Sequence, residues 1–191
     1  VYNSTNFIIK VLPKTYDKPR KIESESTIRA FRQVEIMGSQ EPTGYLVNIL
    51  FLDANYNYIR RLVDKKASIE QVTIPTDYDR QKVDTTVKNI GYLIAYDDSN
   101  NDKIIDWNDD YDLYISDLDG KNLFQITHDR DINGFEFINQ HNDVFISYTD
   151  REKIRDEYKI TRFAIFNIKT RQLRDLETID KALRDVQNIL K

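Results

Sequence analysis

The sequence predicts an all-β protein made of about three antiparallel, four-stranded, blade-like repeats followed by a C-terminal amphipathic α-helix. Residues that favour strands, namely Ile, Val, Phe and Tyr, are abundant, whereas Ala, the best helix former, is rare. Short apolar runs alternate with polar turn residues along most of the chain. In addition, one hairpin pattern occurs three times without a gap, which indicates an internal repeat.

The repeated hairpin consists of an apolar strand, an Asp or Asn, a polar turn and a shorter strand. Its three copies begin at Ile49, Leu113 and Phe163. In each copy an apolar residue precedes the Asp or Asn by two positions, and two apolar residues follow at fixed offsets. We expect the Asp or Asn side chain to accept a backbone N–H ahead of it and so fix the turn. The three turn residues are Asp53, Asp117 and Asn167.

Two further β-rich runs precede each hairpin, as a four-stranded unit requires. The predicted domain therefore covers residues 1–177, with repeats at about 4–64, 67–128 and 133–177. The upstream runs are 7–11 and 31–36 in the first repeat, 69–74 and 92–96 in the second, and 135–138 and 144–148 in the third.

The end of the chain departs from the β pattern. Apolar residues there recur at helical spacing with charged residues between them, and Thr178 is a candidate N-cap. We therefore expect a helix over 178–191 that packs its apolar stripe on the chain's own sheets rather than keeping it for a partner protein. The stripe comprises Ile179, Ala182, Leu183, Val186 and Leu190.

Composition excludes several classes of function. Lys and Arg number 28 against 32 Asp and Glu, so no global positive charge favours nucleic acid or an anionic membrane. The absence of Cys excludes disulfides, zinc–thiolate sites, iron–sulfur clusters and cysteine nucleophiles. No apolar run approaches the length of a membrane helix, so we expect no membrane insertion. The chain begins at Val1 rather than Met, as it would if a leader or upstream segment had been removed.

One segment carries a distinctive charge pattern. Between Asp97 and Asp119 there are nine aspartates and a single basic residue, Lys103. Carboxylates this closely spaced repel one another, and a bound cation is the simplest source of compensation. The alternative is a solvated acidic loop without metal. Oxygen-bearing side chains stand at positions 1, 3, 5, 9 and 12 of the stretch DSNNDKIIDWND, residues 98–109.

This spacing resembles the calcium loop of EF-hands and dockerins. The resemblance implies side-chain ligands at positions 1, 3, 5, 9 and 12, with a backbone carbonyl at position 7. Two positions depart from the EF-hand pattern: Lys103 replaces the usual Gly at position 6, and an Asp replaces the bidentate Glu at position 12. We expect calcium to act as a structural clamp between strands rather than as a regulatory switch. The implied ligands are Asp98, Asn100, Asp102, the carbonyl of Ile104, Asp106 and Asp109.

The stretch LYISDLDGKNLFQIT, residues 113–127, resembles the repeat of TolB-like β-propellers. That resemblance implies a protein- or glycan-facing scaffold, usually outside the cytoplasm, without chemistry of its own. Three blades are fewer than the 4–8 of closed propellers. The chain is therefore part of a longer one, an open array with the helix over one edge, or half of a ring completed by a second copy. We favour the open array, and the oligomeric state stays open.

No catalytic constellation stands out. The only Gly-Ser pair, at Ser39, lacks the second Gly of a nucleophile elbow, and His128 and His141 lie in polar loops. We therefore expect a non-enzymatic, calcium-binding, propeller-like scaffold or interaction module, exported to the extracellular space, periplasm or cell envelope. The alternative is a carbohydrate- or protein-binding module of the bacterial cell envelope, and a hydrolase is the weakest candidate. Aromatic residues near the turns that could contact a glycan or protein are Tyr56, Tyr58, Tyr111 and Tyr114.

Overall fold

The computed structural model describes residues 7–11, 46–74, 86–151 and 161–189. This part of the chain is mostly β-strand with one short C-terminal helix, which confirms the all-β prediction. The elements are β1 (Phe7–Val11), β2 (Asn48–Leu52), β3 (Tyr58–Arg61), β4 (Ser68–Thr73), β5 (Asn89–Ala95), β6 (Asp112–Asp117), β7 (Phe124–Gln125), β8 (Arg130–Ile138), β9 (Asp143–Asp150), β10 (Arg162–Asn167), β11 (Gln172–Asp175) and α1 (Glu177–Ile189).

The strands form three antiparallel sheets in which neighbours along the chain are neighbours in the sheet. The first sheet has the order β1-β2-β3, the second β4-β5-β6-β7, and the third β11-β10-β9-β8. The second and third sheets thus have the four strands expected of a repeat. The predicted strand at 31–36 lies outside the described residues.

The second sheet lies between the other two and is buried on both faces. One core joins it to the first sheet, where Ile49 and Phe51 pack with Tyr92. The other core joins it to the third sheet, where Leu113 and Ile115 pack with residues of β9 and β10. Side chains alternate between the two faces of a strand, so Tyr114 belongs to the first core while its neighbours on β6 belong to the second. The third-sheet residues of the second core include Val144, Ile146, Tyr148, Ala164 and Phe166.

The hairpin turns agree with the sequence pattern in two of three cases. The Asp53 Oδ1 accepts the backbone N–H of Asn57 at 2.9 Å, and the Asn167 Oδ1 accepts that of Thr170 at 2.8 Å. These two Asx turns are confirmed.

In the turn between β6 and β7 the prediction is wrong about which carboxylate is used. There the Asp119 Oδ1 accepts the N–H of Lys121 at 3.0 Å, whereas Asp117 accepts the Asn122 side-chain Nδ2 at 2.6 Å. The backbone turn itself is the same as in the first hairpin, since the Gly120 N–H donates to the Asp117 carbonyl as the Tyr56 N–H does to that of Asp53. The difference lies in the side chains: Asn122 binds the Asp117 carboxylate, and Asp119 supplies a second carboxylate inside the turn.

The helix α1 begins at Glu177, so Thr178 lies in its first turn instead of at its N-cap. Asp180 is 1% exposed and accepts the Arg162 Nε at 3.0 Å, which joins the helix to β10. Ile179 and Val186 of the predicted apolar stripe are exposed, so the stripe packs on the sheets only in part. Within the described ranges, no helix has both the length and the apolar character needed to cross a membrane.

Candidate metal centre

The acidic loop, residues 96–111, connects the two central strands of the middle sheet. Its ends are held in antiparallel register, with Ile94 opposite Asp112 and Leu93 opposite Leu113. Both strands are buried there, so the two ends of the loop are fixed to the core of the sheet. The loop itself is largely exposed, and six predicted metal ligands lie within it.

In the first half of the loop, side-chain oxygens accept backbone N–H groups further along the chain. The Asp98 Oδ1 accepts the N–H of Asp102 at 3.0 Å, and its Oδ2 accepts that of Lys103 at 2.7 Å. Asn100 Oδ1 accepts the Asp102 N–H at 2.9 Å, and Asp102 Oδ1 accepts the Ile104 N–H at 2.8 Å. The oxygens at loop positions 1, 3 and 5 are therefore turned toward the same stretch of backbone.

The backbone makes a sharp bend at the position where EF-hand loops carry Gly. Lys103 has a φ of 73° and Asn101 a φ of 63°, so both lie in the left-handed region. An L-residue with a Cβ pays roughly 1–2 kcal/mol for this conformation, and Asn tolerates it better than Lys. The Lys103 side chain is exposed, so the bend meets no steric obstacle from the rest of the protein.

Asp109 closes the loop from its other end. It is only 6% exposed, and its Oδ1 accepts the Ser99 N–H at 2.7 Å while its Oδ2 accepts the Asp106 N–H at 2.8 Å. The Asp106 Oδ1 in turn accepts the N–H of Asn108 at 2.9 Å. One carboxylate thus joins loop position 2 to position 9, although Asp is one methylene shorter than the Glu usual at position 12.

A buried tyrosine fastens the loop to the neighbouring strand β4. The Tyr111 Oη donates to the Asp106 carbonyl at 3.0 Å and lies 2.5 Å from the Ser68 Oγ, which therefore donates to it. Burial raises the pKa of Tyr111 to about 12, and the hydrogen bond with Ser68 acts in the opposite direction. Tyr111 is accordingly a neutral structural link at physiological pH.

Arg151, directly after β9, fastens the same end of the loop to the third sheet. Its Nη2 donates to the Tyr111 carbonyl at 2.8 Å and to the Asp112 Oδ1 at 3.2 Å. Its Nε lies 3.5 Å from the Asp110 Oδ2. Burial raises the pKa of Asp112, and the charges of Arg151 and His128 oppose that rise.

The carboxylates of the acidic loop do not converge on one point. Among the residues that the structure describes, no group of three or more His, Asp or Glu side chains is placed to hold a metal ion. Asp98, Asp102, Asp106 and Asp109 instead bind N–H groups of the loop, and Ile104 lies at an exposed bend. The donor atoms are all oxygens, which suits a hard cation, but cation binding requires these side chains to turn toward a common centre.

Other residues singled out from the sequence have varied surroundings. The His141 Nδ1 lies 2.9 Å from the Thr86 Oγ1, and His128 is exposed. Tyr111 and Tyr114 are buried in the cores, which excludes them from stacking on a ligand. The side chains of Tyr56 and Tyr58 are 67% and 60% exposed.

Sequence reasoning missed Trp107, the only Trp of the chain, which lies inside the acidic loop and is 64% exposed. It also missed the anchors Ser68 and Arg151. These two residues are distant in sequence from the loop, and no local pattern marks them. Ser99, by contrast, is a small polar residue at loop position 2, so the sequence of the loop itself could have indicated its role.

Comparisons with protein-family models, with curated proteins and with solved structures found no match for this chain.

Proposed function

We propose that this protein is a non-enzymatic β-scaffold that binds one calcium ion in the acidic loop, with the ion in a structural role. The observation that carries the proposal is the hydrogen-bond pattern of the loop together with its left-handed bend at Lys103. The proposed ligands are Asp98, Asn100, Asp102, the carbonyl of Ile104, Asp106 and Asp109.

Calcium is the cation that this donor set suits best. Carboxylate, amide and carbonyl oxygens on a flexible loop match its 6–8 oxygen ligands, whereas magnesium demands a stricter octahedron. A carboxylate oxygen has two lone pairs, so it can accept an N–H and still coordinate a cation. Small side-chain rotations at Asp98, Asp102 and Asp106 would then complete the site while the backbone bonds persist.

A structural role is supported by the anchors of the loop. Ser68 and Arg151 connect it to β4 and to the end of β9, so order in the loop is transmitted to strands of two sheets. Calcium would also neutralise part of the repulsion among the nine aspartates between Asp97 and Asp119. No second arrangement of the loop supports a regulatory switch.

The stacked antiparallel sheets are consistent with a propeller-type scaffold of TolB-like character, exported to the extracellular space, periplasm or cell envelope. Millimolar calcium outside the cell suits a weak structural site, and this motivates the location. The second candidate is a carbohydrate- or protein-binding module of the envelope, which the exposed rings of Tyr56 and Tyr58 favour.

Trp107 makes the metal proposal directly testable. Terbium replaces calcium at oxygen sites, and an indole a few ångströms away transfers excitation energy to it. We expect terbium added to metal-free protein to emit on excitation of Trp107, and calcium to quench the emission at far lower concentration than magnesium.

Two variants define the controls for that titration. Asp98→Asn combined with Asp102→Asn should abolish the sensitised emission, because two carboxylate ligands are lost while amide oxygens still accept N–H groups. Trp107→Phe should abolish emission but keep the calcium-dependent gain in stability. Emission that survives in the double variant, or that magnesium quenches as well as calcium does, would contradict the proposal.

A further inference from the structure

The three sheets stack in the order of the chain, and equivalent positions of the repeated hairpin face the same way in each sheet. Ile49, Leu113 and Phe163 occupy the same place in the three hairpins, and so do Phe51, Ile115 and Ile165. In the first two sheets these residues are fully buried against the following sheet. We call this side of a sheet its forward side, and the opposite side its rear side.

The forward side of the third sheet has no following sheet among the described residues. Phe163 and Ile165 are half-buried and lie outside both cores, and so does Phe145, which pairs with Ile165 across β9 and β10. The rings of Phe145 and Phe163 stack with centroids 5.4 Å apart and planes at 24°. These three residues form an apolar surface, which we call the forward patch.

The rear side of the first sheet is apolar as well. Leu50 and Leu52 occupy the hairpin places of Ala164 and Phe166, which are buried against the second sheet in the third repeat. Both leucines are only half-buried and lie outside the cores that the described residues form. Tyr58 pairs with Leu52 across β2 and β3 and is 60% exposed. Leu50, Leu52 and Tyr58 form the rear patch.

We propose that the forward patch of one molecule packs on the rear patch of a second copy of this chain, in a head-to-tail contact. The same forward-to-rear contact occurs twice inside the molecule, at the first and second cores. The two sides of this contact, one forward and one rear, are also the two outer sides of the stack, with the same hairpin positions on each. The forward patch is therefore complementary to the rear patch and not to a second forward patch. Apolar sheet faces of this kind mark association surfaces.

A head-to-tail contact is heterologous, so its repetition gives a closed ring or an open chain of molecules. None of the residues of the two patches belongs to the acidic loop or is one of its anchors, Ser68 and Arg151. The contact is therefore independent of the calcium proposal, and either proposal can fail alone.

The test is the molar mass of the full-length protein by light scattering across a wide range of concentration. We expect the wild-type chain to form dimers or larger assemblies, and Phe163→Arg or Leu52→Arg alone to be monomeric. The decisive experiment mixes these two variants, because each retains the patch that the other lacks. We expect the mixture to give a one-to-one dimer that grows no further.

Thr170→Arg, in the exposed turn between β10 and β11, is the matched control and should assemble as the wild type does. Circular dichroism and thermal unfolding check that each variant is folded, and Phe163→Thr and Leu52→Thr replace any that is not. A wild-type chain that is monomeric throughout would overturn the proposal. Self-association of Leu52→Arg alone would overturn it too, since it would show that two forward patches pair.

Discussion

The two connections at opposite ends of β6 are both rich in Asp, yet they differ in what lies next to the backbone. The acidic loop before β6 is held by its own carboxylates, such as Asp98 and Asp109, which accept backbone N–H groups. The turn after β6 is also closed by Asp side chains, but it packs in addition on the first sheet, where Gly120 lies against the ring of Phe51.

Both connections contain a residue in the left-handed region, so the effect of the surroundings can be compared at the same backbone angle. Lys103 has a φ of 73° and Gly120 a φ of 77°. A Cβ on Gly120 would collide with the Phe51 Cε2, whereas the side chain of Lys103 is exposed. Backbone angle alone therefore does not require glycine; glycine is required where the angle and a close neighbour coincide.

The largest effect should come from Gly120→Ala. The strained φ and the collision with Phe51 together should lower the free energy of unfolding by about 2–5 kcal/mol. Urea denaturation measures the loss, and the calcium-dependent gain in stability should remain intact. A loss of unfolding free energy that does not exceed the cost of the positive φ alone would show that the Phe51 ring moves aside without strain.

Asp109→Ala should have the next largest effect. Removing a 6% exposed carboxylate leaves the N–H groups of Ser99 and Asp106 without their acceptor, which should cost about 1–3 kcal/mol in metal-free protein. The deficit should grow when calcium is added, since the variant also lacks a ligand. Denaturation in both conditions gives the two values, and an equal deficit in both would argue that Asp109 does not contact the ion.

Lys103→Gly should stabilise the metal-free protein by up to about 1 kcal/mol, because glycine adopts the left-handed bend without strain. Lys103→Ala is the control, as it removes the same charge and keeps the Cβ. If the two variants gain equally, the charge of Lys103 and not its backbone angle is responsible. Thermal unfolding at matched ionic strength distinguishes them.

The smallest effect concerns pH and lies in the third sheet. Burial raises the pKa of Asp175, but hydrogen bonds from Arg130 and Tyr148 outweigh it and leave the pKa lowered. A lowered folded-state pKa contributes stability above the unfolded pKa of about 3.9, and this contribution disappears as pH falls through the folded-state value. Because Asp175 is partly exposed, the contribution should stay below about 1 kcal/mol.

Asp175→Asn should therefore be less stable than wild type at neutral pH, and the difference should shrink as the pH is lowered past about 4. Denaturant unfolding at a series of pH values measures it. A difference that is constant with pH would mean that the ionised carboxylate contributes nothing beyond its hydrogen bonds.

Local sequence patterns predict the strands and hairpins well because turn chemistry and two-residue alternation act over a few residues. The turns at Asp53 and Asn167 follow that logic. The turn at Asp117 does not, because the Asn122 side chain binds the Asp117 carboxylate and Asp119 accepts the Lys121 N–H instead.

The same reasoning applies to the candidate site. The six proposed ligands are expected from spacing within residues 98–109, and the bend at Lys103 lies at position 6 of that stretch, where EF-hand loops carry Gly. The site's anchor Ser68 depends on the pairing of β4 with β5, and its anchor Arg151 on how the third sheet packs on the second; contacts across such distances leave no mark in a single sequence.

The most direct test of the proposed calcium site in the acidic loop is the free energy of unfolding of metal-free protein, measured with and without calcium. Binding to the folded state alone at 100 times the dissociation constant should add about 2.7 kcal/mol to wild type. Asp98→Asn with Asp102→Asn should gain nothing, whereas Asp117→Asn with Asp119→Asn, which removes as much charge from the turn after β6, should gain as wild type does. Equal gains in both double variants, or none in wild type, would contradict a calcium site between β5 and β6.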